Sequence, residues 1–396
     1  MKILTFTTLY PNAQFPTNGI FVETRLRKLR ANYPEVQSLV IAPVPWFPFT
    51  GKRYGMYGRM AAVPAQEERS GIRILHPRYP LLPKIGMSLA PFLMARAMLP
   101  VLRKVIAQGF DFELIDAHYY YPDGVAATML GKKLRKPVVV TGRGTDIHSI
   151  PSYRIPRKLV LNASRAAAAS ITVAAALKTE LVRMGAQEDK IHVLRNGVDL
   201  DFFRPQDRAV LRTQLGFAGK TLISVGNLSE LKGHHLIIEA MASLPDFHLL
   251  VIGSGSYEPQ LHTAIQQHGV ADRVTLIPRV GQDKLREYYA AADALILASS
   301  REGWANVLLE SMACGTPVVA TRIWGTPEVV TAPEAGLLIP ERSAAAIAAG
   351  VSALFAHYPD RAATRRYAER FNWRETSDGQ MALFRSILGR PGQAGP

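Results

Sequence analysis

The chain has a single cysteine, Cys314, in 396 residues. One thiol excludes an internal disulfide and suits a reducing compartment. Cys314 sits among small and apolar neighbours in "SMACGTP", so it reads as structural rather than nucleophilic. Long apolar runs are also missing. No stretch approaches the roughly 18–20 uncharged apolar residues that a membrane-spanning helix needs, and "IGMSLAPFLMA" contains Pro91 and ends at Arg96. The start, "MKILTFTTLYPN", lacks the apolar core and small-residue cleavage site of a secretory leader. These absences lead us to expect a cytoplasmic protein, soluble or peripheral on the cytoplasmic face of the membrane. Internal repeats and low-complexity tracts are absent too, and the ending "RPGQAGP" reads as disordered.

Acidic residues are scarce in one half only. Residues 1–198 carry 28 Lys+Arg against 12 Asp+Glu, whereas residues 199–396 carry 19 against 20. General solubility explains a net charge but not its confinement to one half, so an anionic partner is expected at the first half. Nucleic acid, anionic lipid and a phosphorylated substrate all fit at this level. Nucleic acid is the weakest of them, because the aromatic–basic interleaving of a base-stacking surface is missing. The segment 84–108, with Lys84, Arg96, Arg103 and Lys104 and no acid, has the make-up of an amphipathic element that lies on anionic membranes; a core-facing helix with solvated cations fits it equally.

What is present is a regular alternation. Short β-branched runs such as "KILTFTT", "ELIDAHY" and "KPVVVTG", then "KTLISVG", "FHLLVIG", "ADALILAS" and "TPVVAT", are separated by helix-like segments. Continuous rather than alternating hydrophobicity marks strands buried on both faces, as in a parallel sheet between helices. Two such series in a chain of this length predict an α/β protein with two doubly wound, Rossmann-like domains facing across a cleft. We expect the first over 1–198, the second over 199–370, and a C-terminal helix in 371–396 that crosses back to the first. The joint is expected in "RNGVDLDFFRP", residues 195–205. Ligands of such sheets bind beyond the carboxyl ends of the strands, so the loops there are where chemistry is sought.

In "ALILASSREGWANVLLESMACGTP" a strand leads into a loop holding Glu302, and the helix after it holds Glu310. Asn306 reads as the helix N-cap and Gly315 as its C′ residue. A carboxylate near a helix start suits the vicinal hydroxyls of a ribose, and Glu302 suits the hydroxyls of a second sugar. A capping-box role for Glu310 is the alternative. "SVGNLSELKG" supplies Lys232 beside Gly233, "IDAHYYYPDG" ends a strand with His118, and "VVVTGRGTDIH" places Arg143 and Asp146 among glycines. Two glycines admit a ligand close to the backbone and an Arg suits phosphate; an Arg143–Asp146 ion pair is the plainer reading. Three patterns are set aside. Asp199-Leu200-Asp201 belongs to the joint and has no metal shell around it. "GSGSYE" has two glycines of a three-glycine fingerprint. His234 and His235, being adjacent, share no helix face.

Glu302-x7-Glu310 followed by "MACGTPVVAT" and "GTPE" resembles the nucleotide-sugar site of GT-B glycosyltransferases, in particular the retaining family 4, and the likeness extends from "NGIFVETRLRKL" to "FNW". The resemblance implies transfer of a hexose, without metal or cofactor, from a UDP-, GDP- or ADP-sugar to a lipid-linked or saccharide acceptor of bacterial envelope or polysaccharide assembly. It implies that His118, Lys232 and Glu302 act at the reacting centre, His118 by orienting the sugar or supplying a hydrogen bond. It assigns Glu310 to the ribose, Glu302 with the amides of Gly303 and Trp304 to the hexose and distal phosphate, and Lys232 with Gly233 to the diphosphate. Gly19, Gly253, Asn306 and Val307 would line the donor, and Arg143 and Asp146 the acceptor or phosphate. Where relatives carry a second cation this chain has Asn227, so Arg143 or Arg279 is expected to replace it. The family often has Gly-Phe-Gly where Gly303-Trp304-Ala305 stands. A sugar-nucleotide epimerase of the same fold is the chemical alternative, and a basic nucleic-acid-binding protein the alternative of another class.

Overall fold

The computed structural model describes residues 1–81 and 86–390; Lys84 of the basic segment and residues 391–396 of the tail lie outside them. The chain divides into two units, residues 1–196 with 373–396, and residues 197–372. The first passage between them falls inside the turn-rich stretch 195–205.

Unit 1 is built on strands β1 (Lys2–Phe6), β2 (Gln37–Ile41), β3 (Val44–Pro45), β4 (Gln66–Arg69), β5 (Ile72–Leu75), β6 (Arg78–Tyr79), β7 (Leu114–His118), β8 (Val138–Gly142), β9 (Ala169–Thr172) and β10 (Ile191–Val193). Eight of these form one sheet in the order β10-β9-β8-β7-β1-β2-β5-β4, parallel except for β4 against β5. β3 and β6 pair separately. β4, "QEER", carries no apolar signature because it is an exposed edge, where charge discourages further pairing. The C-terminal helix Trp373–Ile387 belongs to this unit and inserts Met381 and Phe384 among Ile3, Leu29, Leu114 and Val139. Each fully buried apolar side chain of that size contributes about 1.5–3 kcal/mol, which is ample to hold the helix there.

The helix Ala90–Ala107 turns Met94, Ala95, Met98, Leu102 and Val105 inward. Its apolar stripe is thus consumed by the core and its cations are left to solvent. Met87, Leu89 and Phe92, at its start, stay exposed.

Unit 2 is a six-stranded parallel sheet, β13-β12-β11-β14-β15-β16 in order, formed by β11 (Lys220–Val225), β12 (Phe247–Ile252), β13 (Val274–Ile277), β14 (Ala294–Leu297), β15 (Val318–Thr321) and β16 (Gly336–Ile339). β11 and β14 are sheet neighbours although about 70 residues apart in sequence, so the order reverses at their carboxyl ends. Loops diverge there and leave room for a ligand.

Candidate functional site

In unit 2 the side chains marked by the sequence gather at that reversal. The loop after β11 ends in Gly233, whose φ of 71° is left-handed and whose missing side chain lets the carbonyl of Ala298, at the end of β14, come into contact. The approach brings Lys232 across to the β14 loop, where its Nζ donates to Glu302 Oε1 at 2.5 Å. Ser299 Oγ donates to the same oxygen at 2.7 Å. Glu302 is 9% exposed, so the pair is held in a setting where charges interact strongly. Gly233→Ala should place a Cβ against the Ala298 carbonyl and in a strained φ; we expect a loss of about 2 kcal/mol in urea unfolding, and an unchanged midpoint would refute this.

Gly253, after β12, lies against the carbonyl of Gly226. Arg279, after β13, donates from its guanidinium to Asn227 Oδ1 and from its backbone N–H to Ser254 Oγ at 3.1 Å. Of the two cations considered for the position of the missing one, Arg279 is therefore the one that lies on Asn227.

The helix carrying Glu310 spans Asn306–Ala313, and its N-cap is Ala305, with no side-chain cap. The expectation for Asn306 is corrected: it already has helical dihedrals and is the first helical residue, with Val307 the second. Glu310 consequently sits in the second turn, beyond reach of a capping box. Gly315, at φ 81°, does occupy C′. Tyr289, from the helix Gln282–Ala291, donates its hydroxyl to Glu310 Oε2 at 3.0 Å. Burial pushes the Glu310 carboxyl up to about 7, partly offset by that hydrogen bond. Burial and then Glu310 push the Cys314 thiol up to about 12, which fits an inert thiol. Trp304 is buried, with its indole N–H unpartnered and its ring 6.3 Å from that of Phe371.

Unit 1 holds a second cluster. His118 ends β7; its Nδ1 faces Arg143 Nη2 at 2.8 Å and its Nε2 faces Asp116 Oδ2 at 3.3 Å. A guanidinium only donates, so Nδ1 accepts and the ring proton is on Nε2, toward Asp116. Burial, with help from Arg143 and Arg25 and against the pull of Asp116, holds His118 below its usual range. The ring is neutral, with both nitrogens engaged inside the protein. Tyr119, the next residue, has φ 80°, a conformation that costs a bulky side chain about 1–3 kcal/mol and is tolerated where surroundings over-determine it.

The Arg143–Asp146 ion pair, the plainer alternative for this loop, gives way to two separate arrangements. The Asp146 carboxylate accepts the backbone N–H groups of Tyr120 (2.7 Å), Arg143 (3.0 Å) and Gly144 (2.8 Å). The Arg143 guanidinium turns instead to His118 and to Asn196 Oδ1 at 3.1 Å, and lies over the Phe21 ring. Three converging amides satisfy a buried carboxylate better than one guanidinium, and they leave the guanidinium for the histidine. Gly19, at φ 65°, precedes the helix Ile20–Asn32 and lies against the Leu9 carbonyl.

Two family profiles match the chain: "Glycosyltransferase Family 4" over residues 56–202 and "Glycosyl transferases group 1" over residues 207–371. The D-inositol 3-phosphate glycosyltransferase of Xylanimonas cellulosilytica is 30% identical over 360 residues, 83% of this chain and 85% of that one. The chain belongs to the family 4 glycosyltransferases. The enzyme of the same name from Segniliparus rotundus is 36% identical over 222 residues, 51% of this chain and 48% of its own, so the family 4 chain spans about half the length of that relative. Among solved structures, sucrose-phosphate synthase from Thermosynechococcus elongatus superposes with a TM-score of 0.79 at 21% identity, covering 98% of this chain and 99% of that one. HepE of Anabaena, solved with UDP-glucose, gives 0.73 at 20% identity, over 98% and 100%. These likenesses identify the fold as GT-B, two parallel-sheet domains.

The Xylanimonas and Segniliparus relatives are named as glycosyltransferases, which lends the epimerase alternative no support. Sequence reasoning missed Ser299, Tyr289, Asp116 and Gln380. Asp116 had a signal, as the acid two residues before a strand-end histidine, and Ser299 lies three residues before Glu302 in the same loop; Tyr289 and Gln380 lie too far from the motifs for spacing to reveal them.

Proposed function

We propose that the protein transfers a hexose from a nucleoside-diphosphate sugar to a saccharide or lipid-linked acceptor, with retention of anomeric configuration. The observation that carries this reading is the Lys232–Glu302–Ser299 cluster at the strand-order reversal of the unit that also holds Glu310. One fixed cation, one carboxylate beside it and a second carboxylate on the following helix answer the diphosphate, hexose and ribose of one extended ligand. Arg279 on Asn227 supplies the second cation for the phosphates, and the amides of Gly303 and Trp304 and the start of the helix at Asn306 and Val307 line the donor.

In the reaction the acceptor oxygen bonds to the anomeric carbon on the face that the diphosphate leaves. The anomeric C–O bond to phosphate breaks, and the departing phosphate oxygen takes the acceptor's proton. Lys232 offsets the charge that grows on the leaving group, the usual source of large rate effects in such sites. Glu302 positions the hexose, whereas His118, with both ring nitrogens engaged by Arg143 and Asp116, acts by holding the Arg143 guanidinium rather than by removing a proton. Among the described residues no cluster of three or more His, Cys, Asp or Glu side chains could hold a metal ion. The crowded acids and bases that an epimerase requires at the sugar ring are not supported either, since Asp146 is tied to backbone amides and His118 to Arg143 and Asp116.

The acceptor belongs to the basic unit. Among the described residues no helix is long and apolar enough to cross a membrane. An exposed patch of Trp46, Phe49, Met56 and Tyr57 stands beside Lys52, Arg53 and Arg59, with Phe47 packed on Phe49, Tyr54 and Tyr57. This stretch does interleave aromatic residues with cations, which the sequence reading took to be missing from the chain; lying beside an exposed apolar patch, it suits the interface of an anionic membrane and supports a lipid-linked acceptor and a peripheral location.

A thermal-shift panel of UDP-, GDP- and ADP-sugars tests the donor reading: a ligand at 100 times its Kd stabilises by about 2.7 kcal/mol, and no response to any member would refute it. With the responding donor, transfer to D-inositol 3-phosphate, the compound in the relatives' name, and to lipid-linked saccharides identifies the acceptor. The anomeric coupling constant of the product decides retention.

A further inference from the structure

Beneath the unit 1 cluster runs a chain of buried polar groups that the transfer reaction does not itself require. Arg25, fully buried on the helix Ile20–Asn32, donates from Nε to Gln380 Oε1 at 2.8 Å and from Nη1 to the Leu194 carbonyl at 3.2 Å. Gln380, on the C-terminal helix, donates from Nε2 to Asp116 Oδ2 at 3.0 Å. Asp116 Oδ2 then faces His118 Nε2, and His118 Nδ1 faces Arg143, which reaches Asn196. Each of these six side chains is at most 9% exposed.

The direction of every bond in the chain is forced. An arginine stands at each end and can only donate. Arg25 therefore fixes the amide of Gln380 with its oxygen toward the helix Ile20–Asn32 and its NH2 toward Asp116. Arg143 fixes His118 with Nδ1 accepting. The two constraints meet at Asp116, the acceptor for both Gln380 and the His118 Nε2–H. One rotated amide or one flipped ring would set two donors or two acceptors face to face among buried side chains, a cost of about 1–3 kcal/mol or more.

We propose that Gln380 is a positioning residue of this transferase: from the C-terminal helix, through Asp116, it holds His118 as the neutral, Nε2-protonated tautomer and thereby leaves Nδ1 to orient Arg143. This rests on the reading of His118 and Arg143 as site residues, but the tautomer does not. Asp116 is shared between two donors, which blunts its pull on the His118 ring. Without the Gln380 amide the whole acceptor strength of Asp116 falls on His118, and the ring gains a proton more readily. A protonated ring has no lone pair for Arg143 and presents a cation to it. The charged groups facing His118 are Asp116 on its own strand, Arg143 after β8 and Arg25 on the helix Ile20–Asn32; the last two oppose protonation and Asp116 favours it.

The test is 15N-histidine NMR on the full chain, with the His118 resonances assigned by their loss in His118→Asn. In the wild type we expect a neutral, Nε2-protonated pattern at neutral pH, with protonation only below the usual histidine range. In Gln380→Met, which keeps the volume, the same resonances should titrate at least one pH unit higher. Gln380→Glu keeps the acceptor for Arg25 while removing the donor to Asp116, and should shift them the same way, which covers a Met variant that does not fold. With a responding donor, kcat should fall about tenfold, the equivalent of one hydrogen bond, with its acid limb moved upward and the donor KM unchanged. A wild-type His118 protonated on Nδ1, or His118 resonances that neither variant moves, would overturn the proposal even if no transfer is ever detected. Failure of every nucleotide sugar to be used would instead sink the functional reading and leave the NMR result standing.

Discussion

Lys232→Ala should lower kcat/KM for the nucleotide sugar by about 10²–10³, the range found when one preorganised group facing developing charge is removed. The diphosphate is anionic before reaction and more so as the anomeric bond breaks, so the loss should fall on kcat as well as on KM. The side chain is well placed for this. Its Nζ is held 2.5 Å from Glu302, so little rearrangement is needed to reach a phosphate bound at the same loop ends. The ion pair also keeps the free site neutral, because Glu302 without Lys232 would be a lone carboxylate exactly where a dianion must bind. Removal of the lysine therefore acts twice, through lost attraction and through unmasked repulsion. The folded state should tolerate the change, since Lys232 lies at a loop end and Ser299 still donates to Glu302. Initial rates over a donor series, with thermal melts as a folding control, measure both effects. A decrease smaller than threefold with an unchanged melt would remove Lys232 from the site.

Much of the architecture is legible in the sequence because parallel strands buried on both faces leave an unmistakable mark. "FHLLVIG" and "ALILASS" can hardly be anything else, and the loops after them follow. The strands that escape are those whose making obeys other rules. β4, "QEER", exists through backbone pairing with β5 and carries edge-protecting charge. Within the site, local spacing places Glu302 on a loop and Glu310 on a helix, which is how they stand. Spacing does not report what each side chain touches. Asn306 has the composition of an N-cap, but the chain enters the helix one residue earlier, at Ala305. Arg143 and Asp146 look like a pair on the page because opposite charges three residues apart usually attract. In the fold the turn "TGRGTD" aims backbone amides at the carboxylate first. Contacts such as Tyr289–Glu310 and Gln380–Asp116 join residues 21 and 264 positions apart, and no one-dimensional pattern encodes them.

Glu310→Gln should make the free protein more stable at pH 8 and much poorer at binding the nucleotide, and the two changes have one origin. Burial raises the folded-state value of Glu310 from 4.5 to about 7. A raised value means that the group's stabilising contribution is complete below 4.5 and is lost as pH climbs through 7. The shift corresponds to about 3 kcal/mol at most, of which roughly 2–3 kcal/mol falls between pH 5 and 8. Wild-type protein should thus melt lower at pH 8 than at pH 5 by about 5–10 °C on account of this residue, and Glu310→Gln should flatten that part of the profile. Asp123, likewise pushed up to about 7 by burial, contributes in the same direction and stays in the variant, so the comparison must be made between wild type and variant at each pH. Ligand affinity runs the other way. Only the ionised carboxylate accepts two vicinal hydroxyls, with Tyr289 holding its second oxygen. Nucleotide binding should therefore expel a proton and weaken about tenfold for each pH unit below 7. The glutamine can accept through one oxygen alone, and its affinity should be lower by 10–100-fold, about 1.4–2.8 kcal/mol, and independent of pH across this range. Paired melts and isothermal titrations from pH 5 to 8 decide it. If the two melting profiles run parallel, or if the glutamine variant binds with the wild-type pH dependence, Glu310 is neither the strained carboxylate nor the ribose contact. A buried acid that destabilises the empty protein and is relieved by its ligand is what a binding carboxylate should look like.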